Sequence, residues 1–389
     1  MNRHILVLQY AGNFAEAFWR LHAGGAENYA AQAYSLDSVA ALVDPATRVT
    51  SVCCLSAQAD DQLLPNGVRS IALGLSGTVD TRLVSRLVDD LRPTHLLLRT
   101  PMLRVLVSAR RQGIPVVATF ADSFVKGGLL ARLRRRALAR ELNDPNVLVV
   151  GNHGRNACRN LESIGVRPEK VVPWDWPQVS SQLPPKRYPD AAEWKLVYAG
   201  LMDPRKGVGD IIEAIALLRR DGVRVRLQCF GSGAVGEFRR LAAAGGVEDC
   251  IDFAGQGTNS VVCDAMRRAD VVLIPSRHSY SEGLPLTIYE AFRSRTPIVG
   301  SDHPMFDGIL VDGVSAMVFR AGDPAALARA LRALQANPQA YEALSRNAQA
   351  SWQGLQIATR WGDLVRQWLA PAMGPLELSP RTNPPGLLA

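Results

Sequence analysis

Val271-Val-Leu-Ile-Pro-Ser276 followed, after five residues, by Glu282-Gly-Leu-Pro-Leu-Thr-Ile-Tyr-Glu290 is the stretch that decides the fold. The apolar run reads as a buried strand, and Gly283 and Pro285 break the chain before a helix. Pro285 fits the first helical position, which leaves the amides of Leu286 and Thr287 without intrahelical partners. A strand, a polar loop and a helix N-terminus make a ready anion cradle. Glu282 and Glu290 bracket that cradle with hydroxyl acceptors, so the segment suits a ligand carrying both phosphate and hydroxyl groups. A nucleotide-sugar meets that description.

The same pattern repeats on both sides. In the second half, strands expected at 195–199, 224–230, 251–254, 271–274 and 297–300 alternate with helices near 207–220, 234–244, 259–268, 285–294 and 323–335. In the first half, strands at 4–9, 48–55, 95–98, 116–120 and 147–150 alternate with helices near 26–42, 79–91, 102–112 and 128–141. Such alternation predicts an α/β fold with parallel, doubly wound sheets. A Pro-rich, aperiodic stretch from Pro173 to Asp190 separates the halves. The expected organisation is a Rossmann-like first domain over 1–178, a linker over 179–193 and a second Rossmann-like domain over 194–353. A helical stretch over 354–370 carries Trp361 and Trp368 on an apolar face in search of a surface, and 371–389 reads as a frayed tail. Two facing α/β domains place a ligand in the cleft between them, beyond the carboxyl ends of the strands.

Bulk properties agree. At 389 residues the chain is too long for one core. With 47% apolar and 21% charged residues it has a globular composition. No run of about 18 uncharged apolar residues is present, which excludes a membrane-spanning helix of ordinary kind. The N-terminal apolar run is short and reads as a first strand, so a cytoplasmic protein is expected. The six cysteines form no CxxC pair and read as reduced, buried filler.

The net charge of +8 resides almost wholly in residues 1–190, with 23 Lys/Arg against 16 Asp/Glu. Its densest run, 129–140, interleaves arginines with Leu and Ala. It reads either as a solvated helix or as a face for an anionic membrane or acceptor; lacking aromatics, it is a poor nucleic-acid surface.

Three glycine segments stand near the cleft. Gly24-Gly25-Ala26-Glu27 is expected to open a helix after the first strand, letting backbone approach a phosphate. Arg205-Lys206-Gly207 follows the first strand of the second half, where a departing diphosphate would need cations. Gly231-Ser-Gly-Ala-Val-Gly236 matches a dinucleotide fingerprint in form, yet it lies mid-chain and lacks the acidic residue that fingerprint requires. His153 and Asp122 lie just past predicted first-domain strands and could face an acceptor. No HxH or HxxxH spacing, Walker A string or Gly-x-Ser-x-Gly elbow occurs, so zinc, P-loop and esterase chemistry are not expected.

Taken together, Ala269-Asp-Val-Val-Leu-Ile-Pro-Ser276, Glu282-Gly-x6-Glu290, Thr296-Pro-Ile-Val-Gly-Ser-Asp302, Asp312-Gly-Val and Ala321-Gly-Asp-Pro324 resemble the core signature of family 4 retaining glycosyltransferases. Gly-Gly-Ala-Glu in the first loop and Arg-Lys-Gly after Gly200 match as well. The resemblance implies a GT-B fold whose terminal helix crosses back to the first domain. It implies a UDP- or GDP-sugar donor, a glycan or lipid-linked acceptor and no metal or other cofactor. Glu290 would then hold the ribose, and Glu282 the transferred sugar beside Gly283, Leu284, Pro285, Leu286 and Thr287. Lys206 and Arg205 would neutralise the diphosphate, with Gly24 and Gly25 closing over it. Gly231 would belong to a glycine turn serving the same cleft, and backbone groups near Gly255 and Gln256 would meet the base.

Three departures concern the acceptor side most. Leu201 stands where the family often has arginine, Ala121-Asp122 where it often has histidine, and Pro173-Trp-Asp-Trp176 where it often has Pro-Asn-Gly. Asp122, His153 and Trp174 are the candidate acceptor-side residues. An idle GT-B scaffold and a nicotinamide oxidoreductase are the alternatives.

Overall fold

The computed structural model describes residues 3–125 and 127–369; the expected tail lies outside them. The chain builds two sheets. The first contains β1 (Arg3–Ala11), β2 (Thr47–Leu55), β3 (Ala59–Leu63), β4 (Val68–Leu75), β5 (His95–Leu98), β6 (Val116–Phe120), β7 (Val147–His153) and β8 (Val171–Trp174), in the order β3-β4-β2-β1-β5-β6-β7-β8. The second contains β9 (Glu193–Ala199), β10 (Arg224–Phe230), β11 (Ile251–Gly255), β12 (Val271–Ile274), β13 (Ile298–Ser301) and β14 (Met317–Phe319), in the order β11-β10-β9-β12-β13-β14. Every named strand pair is parallel except β3 with β4. Strand order reverses between β1 and β5 in one sheet and between β9 and β12 in the other.

Successive side chains of a strand point to opposite faces. On β1, Leu6 and Leu8 join the core with Val105 and Leu142, while Ile5 and Val7 join the opposite core with Phe14 and Trp361. All four β1 residues are fully buried, which is why the strand reads as a continuous apolar run.

Several elements differ from expectation. Residues 14–22 form a helix, Phe14–His22, capped by Asn13, whose side chain accepts from the amides of Ala15 and Glu16. The helix expected near 26–42 starts only at Gln32. The β3–β4 hairpin escapes sequence reading because β3 is a largely exposed edge strand, with Asp60 and Asp61 where apolar alternation would be.

The helix expected over 354–370 is instead the end of one helix, a crossing segment and a second helix. Pro338–Leu355, capped by Asn337, packs Tyr341 and Leu344 into the second domain. After residues 356–360 the chain reaches the first domain, where Trp361–Leu369 buries Trp361, Leu364 and Val365 against β1, β5 and β6. The Trp361 indole donates to Thr119 Oγ1 at 3.1 Å. A buried knot fastens this crossing. The Asp175 carboxylate accepts from Tyr289 Oη at 2.6 Å and lies 3.1 Å from His153 Nε2, and its backbone pairs with Thr359 and Trp361.

Candidate functional site

The second sheet reverses where β9 and β12 end side by side, and the chain following each strand supplies one half of an ion pair. After β9, Asp203 caps a single turn, Pro204–Lys206, that lifts Lys206 over the carboxyl edge. After β12, Ser276 and the loop to Glu282 bring a carboxylate to the same point. Lys206 Nζ lies 2.6 Å from Glu282 Oε1, and Ser276 Oγ donates to that oxygen at 2.5 Å. Tyr280 closes one side, its ring centroid 4.3 Å from Nζ. Both charged groups are largely withdrawn from solvent, with side-chain exposures of 16% and 6%. Their mutual charge and the serine hydroxyl satisfy groups that would otherwise be costly to bury.

Arg205 does not join them. Its guanidinium forks Asp203, with Nη2 2.7 Å from Oδ2, and it is more than half exposed. Its own capping residue holds it, although its guanidinium carbon lies 5.5 Å from the centroid of the same Tyr280 ring that Lys206 faces. Leu201 is exposed beside this turn, and its carbonyl accepts from Tyr198 Oη at 2.8 Å.

The helix Leu286–Arg293 begins one residue later than expected: Pro285 is its extended cap (ψ 130°), so Leu286 is the first helical residue. The amides of Leu286 and Thr287 still find no protein acceptor among the described residues. Glu290 is buried on this helix, and burial pushes its carboxyl up to about 7, with the Asn259 hydrogen bond acting against that rise. Asn259 is a site residue that sequence reasoning missed. Its side chain holds Glu290 while its amide donates to the Glu27 carbonyl of the first domain at 2.8 Å. Its one local signal is its place at a helix start, next to the cap Thr258.

The glycine segments behave differently from expectation. Gly24 and Gly25 terminate the Phe14–His22 helix instead of opening one. Their amides bond the Leu21 and Arg20 carbonyls at 3.0 and 2.9 Å, so in this arrangement neither is free for a phosphate. Gly231 is wedged against the neighbouring turn: a Cβ there would come within 1.8 Å of the Gly200 carbonyl oxygen. Its amide is bonded to Gly255 O at 2.8 Å, so the string packs two strand ends together and presents no dinucleotide cradle at its first glycine. Gly255 is half-buried and Gln256 exposed at the end of β11.

The first domain closes over this edge. Gly283 lies under the residue that follows β6, where an added Cβ would meet the Ala121 carbonyl oxygen at 2.3 Å. Leu284 is buried against Gly154. Asp122 is half-buried, and burial, reinforced by the charge of Glu282, raises its carboxyl to about 6. The space at the ion pair, bounded by Tyr198, Ser276 and Thr287, is only about 10 Å³. A cavity of about 690 Å³ lies next to it, lined by Ser123, Phe124, Leu129, Leu130, Arg134 and Ser281 among others. His153 and Trp174 line neither space. Both are buried, with ring centroids 4.9 Å apart, and they belong to the hinge packing around Asp175 and Trp176. Their assignment to the acceptor side is therefore corrected: they hold the hinge.

Residues 182–351, the span that carries the ion pair and both glutamates, match the family model for glycosyl transferases group 1. The second domain belongs to the glycosyl transferases group 1 family. Among curated relatives, the chain is 35% identical over 150 residues to a phosphatidyl-myo-inositol mannosyltransferase of Mycobacterium leprae, covering 39% of each chain. It is 27% identical over 154 residues to an alpha-D-kanosaminyltransferase of Streptomyces kanamyceticus, again over 39% of each chain. The alignments thus span about two-fifths of these relatives. Across the whole fold, the chain resembles a sucrose-phosphate synthase of Thermosynechococcus elongatus, with TM-score 0.67 and 16% identity over 95% of this chain and 99% of that one. It also resembles HepE of Anabaena, solved with UDP and glucose, with TM-score 0.63 and 15% identity over 95% and 98%. The architecture of the chain is accordingly GT-B.

Proposed function

We propose that this chain transfers a sugar from a UDP- or GDP-linked donor to a glycan or lipid-linked acceptor, with retention and without a metal, in the assembly of a cell-surface polysaccharide or glycoconjugate. The observation that carries the reading is the Lys206–Glu282 ion pair at the β9/β12 reversal, set beside the free amides of Leu286 and Thr287. The diphosphate would lie on those amides, with Lys206 swinging from Glu282 to the phosphate as charge develops on the leaving group. Glu282, released from Lys206, would accept hydroxyls of the transferred sugar, and Glu290 with Asn259 would take the ribose. Gly283, Leu284 and Pro285 shape the loop between these groups, and Gly255 and Gln256 lie at the neighbouring strand end, where backbone groups would meet the base.

Asp122 stands across the cleft from Glu282, with its carboxyl raised to about 6. It is suited to exchange a proton with an acceptor hydroxyl near neutral pH. The adjoining 690 Å³ cavity fits an acceptor in size. Leu129, Leu130 and Leu133 are exposed near its mouth among the arginines of the Leu129–Leu142 helix. That pattern favours an anionic, partly apolar acceptor and a peripheral seat on the inner membrane face. Among the described residues no helix is long and apolar enough to cross a membrane.

A calorimetric titration with UDP and GDP tests the reading. Glu290→Ala should abolish nucleotide binding, while Glu282→Ala should keep it and suppress turnover of the matched nucleotide-sugar. Unchanged nucleotide affinity in Glu290→Ala would sink the assignment. An idle scaffold predicts no hydrolysis of any nucleotide-sugar by the unaltered protein.

A further inference from the structure

The reversal in the second sheet holds the donor-side ion pair; the matching reversal in the first sheet, between β1 and β5, holds a cation that the proposed reaction does not use. Arg99 directly follows β5. Its Nη1 donates to Gln9 Oε1 on β1 at 2.9 Å and to Ser35 Oγ at 3.2 Å. The guanidinium carbon lies 4.5 Å from the Trp361 ring centroid and 5.7 Å from that of Trp176. All four partners are neutral, and no carboxylate pairs with this cation among the described residues. Nη2 and Nε make no hydrogen bond there, although a guanidinium carries five donors in a rigid fork. Burial lowers its proton affinity, and Tyr29 opposes that only weakly.

A half-buried guanidinium without a counter-charge is a cost that the folded chain carries unless a ligand supplies the anion. The position favours a ligand. Arg99 is half-buried, so part of its surface remains open, and it stands beyond the carboxyl ends of two parallel strands at a reversal of strand order. Open α/β sheets take ligands in that crevice. A two-domain transferase has two such crevices facing one cleft, and the second domain's already suits the donor. The aromatic floor of Trp361 and Trp176 fixes the fork in plane, as bidentate recognition of a phosphate requires.

We infer that Arg99, oriented by Gln9 and Ser35, is an anion-binding residue that receives a phosphate group of the acceptor. The word acceptor rests on the transferase reading; the anion site rests on the first domain alone.

The test follows thermal stability of the full chain saturated with UDP, titrated with sn-glycerol 3-phosphate, with inorganic phosphate and with glycerol as the neutral control. The unaltered protein should be stabilised by the phosphate ester and not by glycerol. Arg99→Gln should weaken the half-saturating concentration by about tenfold or more, the loss expected for a charge-assisted pair. Arg99→Lys should fall between. Gln9→Glu places a carboxylate beside the intact arginine, so it should abolish the response even if Arg99→Gln fails to fold. General stabilisation by phosphate as a salt would be equal in every variant and would overturn the proposal. So would a phosphate-ester response retained in Gln9→Glu, or a response to inorganic phosphate with none to the ester. The UDP shift should be the same in all variants. Its absence would defeat the donor reading instead, and the phosphate titrations in a Lys206→Gln background would then report on Arg99 alone.

Discussion

Glu290 holds its proton near neutral pH because burial outweighs its hydrogen bond with Asn259. Its carboxyl rises from an ordinary 4.5 to about 7 in the fold, so the folded state binds more protons than the unfolded chain across that interval. The neutral form therefore favours folding at low pH, and that contribution is lost as pH rises through about 7. On the proposed function the ribose hydroxyls would donate to the ionised form, so nucleotide affinity should rise with pH up to about 7 and level off above it. Calorimetry across that range checks this, and Glu290→Gln should flatten the slope. Lys206→Ala should lower turnover by about 10²–10³-fold, as for removal of one group that stabilises developing charge. Steady-state kinetics with the matched donor reads that loss. The two glutamates and Lys206 were legible in the sequence because each sits next to a recognisable strand end or helix start. Asn259 and Asp175 were not, since their partners lie far away in the chain: Asn259 meets Glu290 31 residues on, and Asp175 meets Tyr289 114 residues on.

Elements were read well where apolar periodicity was strong and poorly where a polar cap or an exposed edge did the work. The strand β12 and the helix after it came through within one residue because a buried strand must be apolar throughout and Pro285 marks the helix start. The Phe14–His22 helix was hidden because the glycines that end it were taken to start the next one. The terminal segment was legible as helix but not as two helices, since only packing locates the break at residues 356–360. Its second helix clamps the first domain through Trp361, which is fully buried against the sheet and bonded to Thr119. Trp361→Ala should cost about 3–5 kcal/mol, the range for aromatic deletion in a core, measured by urea unfolding. Because Arg99 stacks on the same ring, this variant should also blunt the phosphate response.

At the scale of the whole molecule, the space at the Lys206–Glu282 ion pair, within the second domain, is only about 10 Å³, and the first domain touches the same loop where Gly283 meets the Ala121 carbonyl. Small-molecule sites commonly offer about 300–1,000 Å³, so on the proposed function this edge widens to admit a nucleotide-sugar, and the Gly283–Ala121 contact is where the domains would part. Asp175 ties the first domain, the second domain and the crossing segment together. Gly283→Val should hold the domains apart, because its side chain would strike the Ala121 carbonyl. Turnover should drop by at least about tenfold while nucleotide still binds the second domain, since catalysis depends on sub-ångström placement of the reacting groups. Kinetics and calorimetry on one preparation check both halves of that outcome. The sequence by itself determined that the chain is two doubly wound halves with a Pro-rich join, and it located the strand–loop–helix segment from Val271 to Glu290, because strand burial and helix starts are written in local residue order. Only the tertiary structure decided which charges pair and which carry no partner. It turned Arg205 to Asp203, closed Gly24 and Gly25 into a helix end, sank His153 and Trp174 into the hinge and, among the described residues, left Arg99 without a carboxylate. The last two outcomes depend on residues far apart in the chain, which local order does not encode; the first two are local contacts, and only the folded geometry shows which of several nearby partners each group takes.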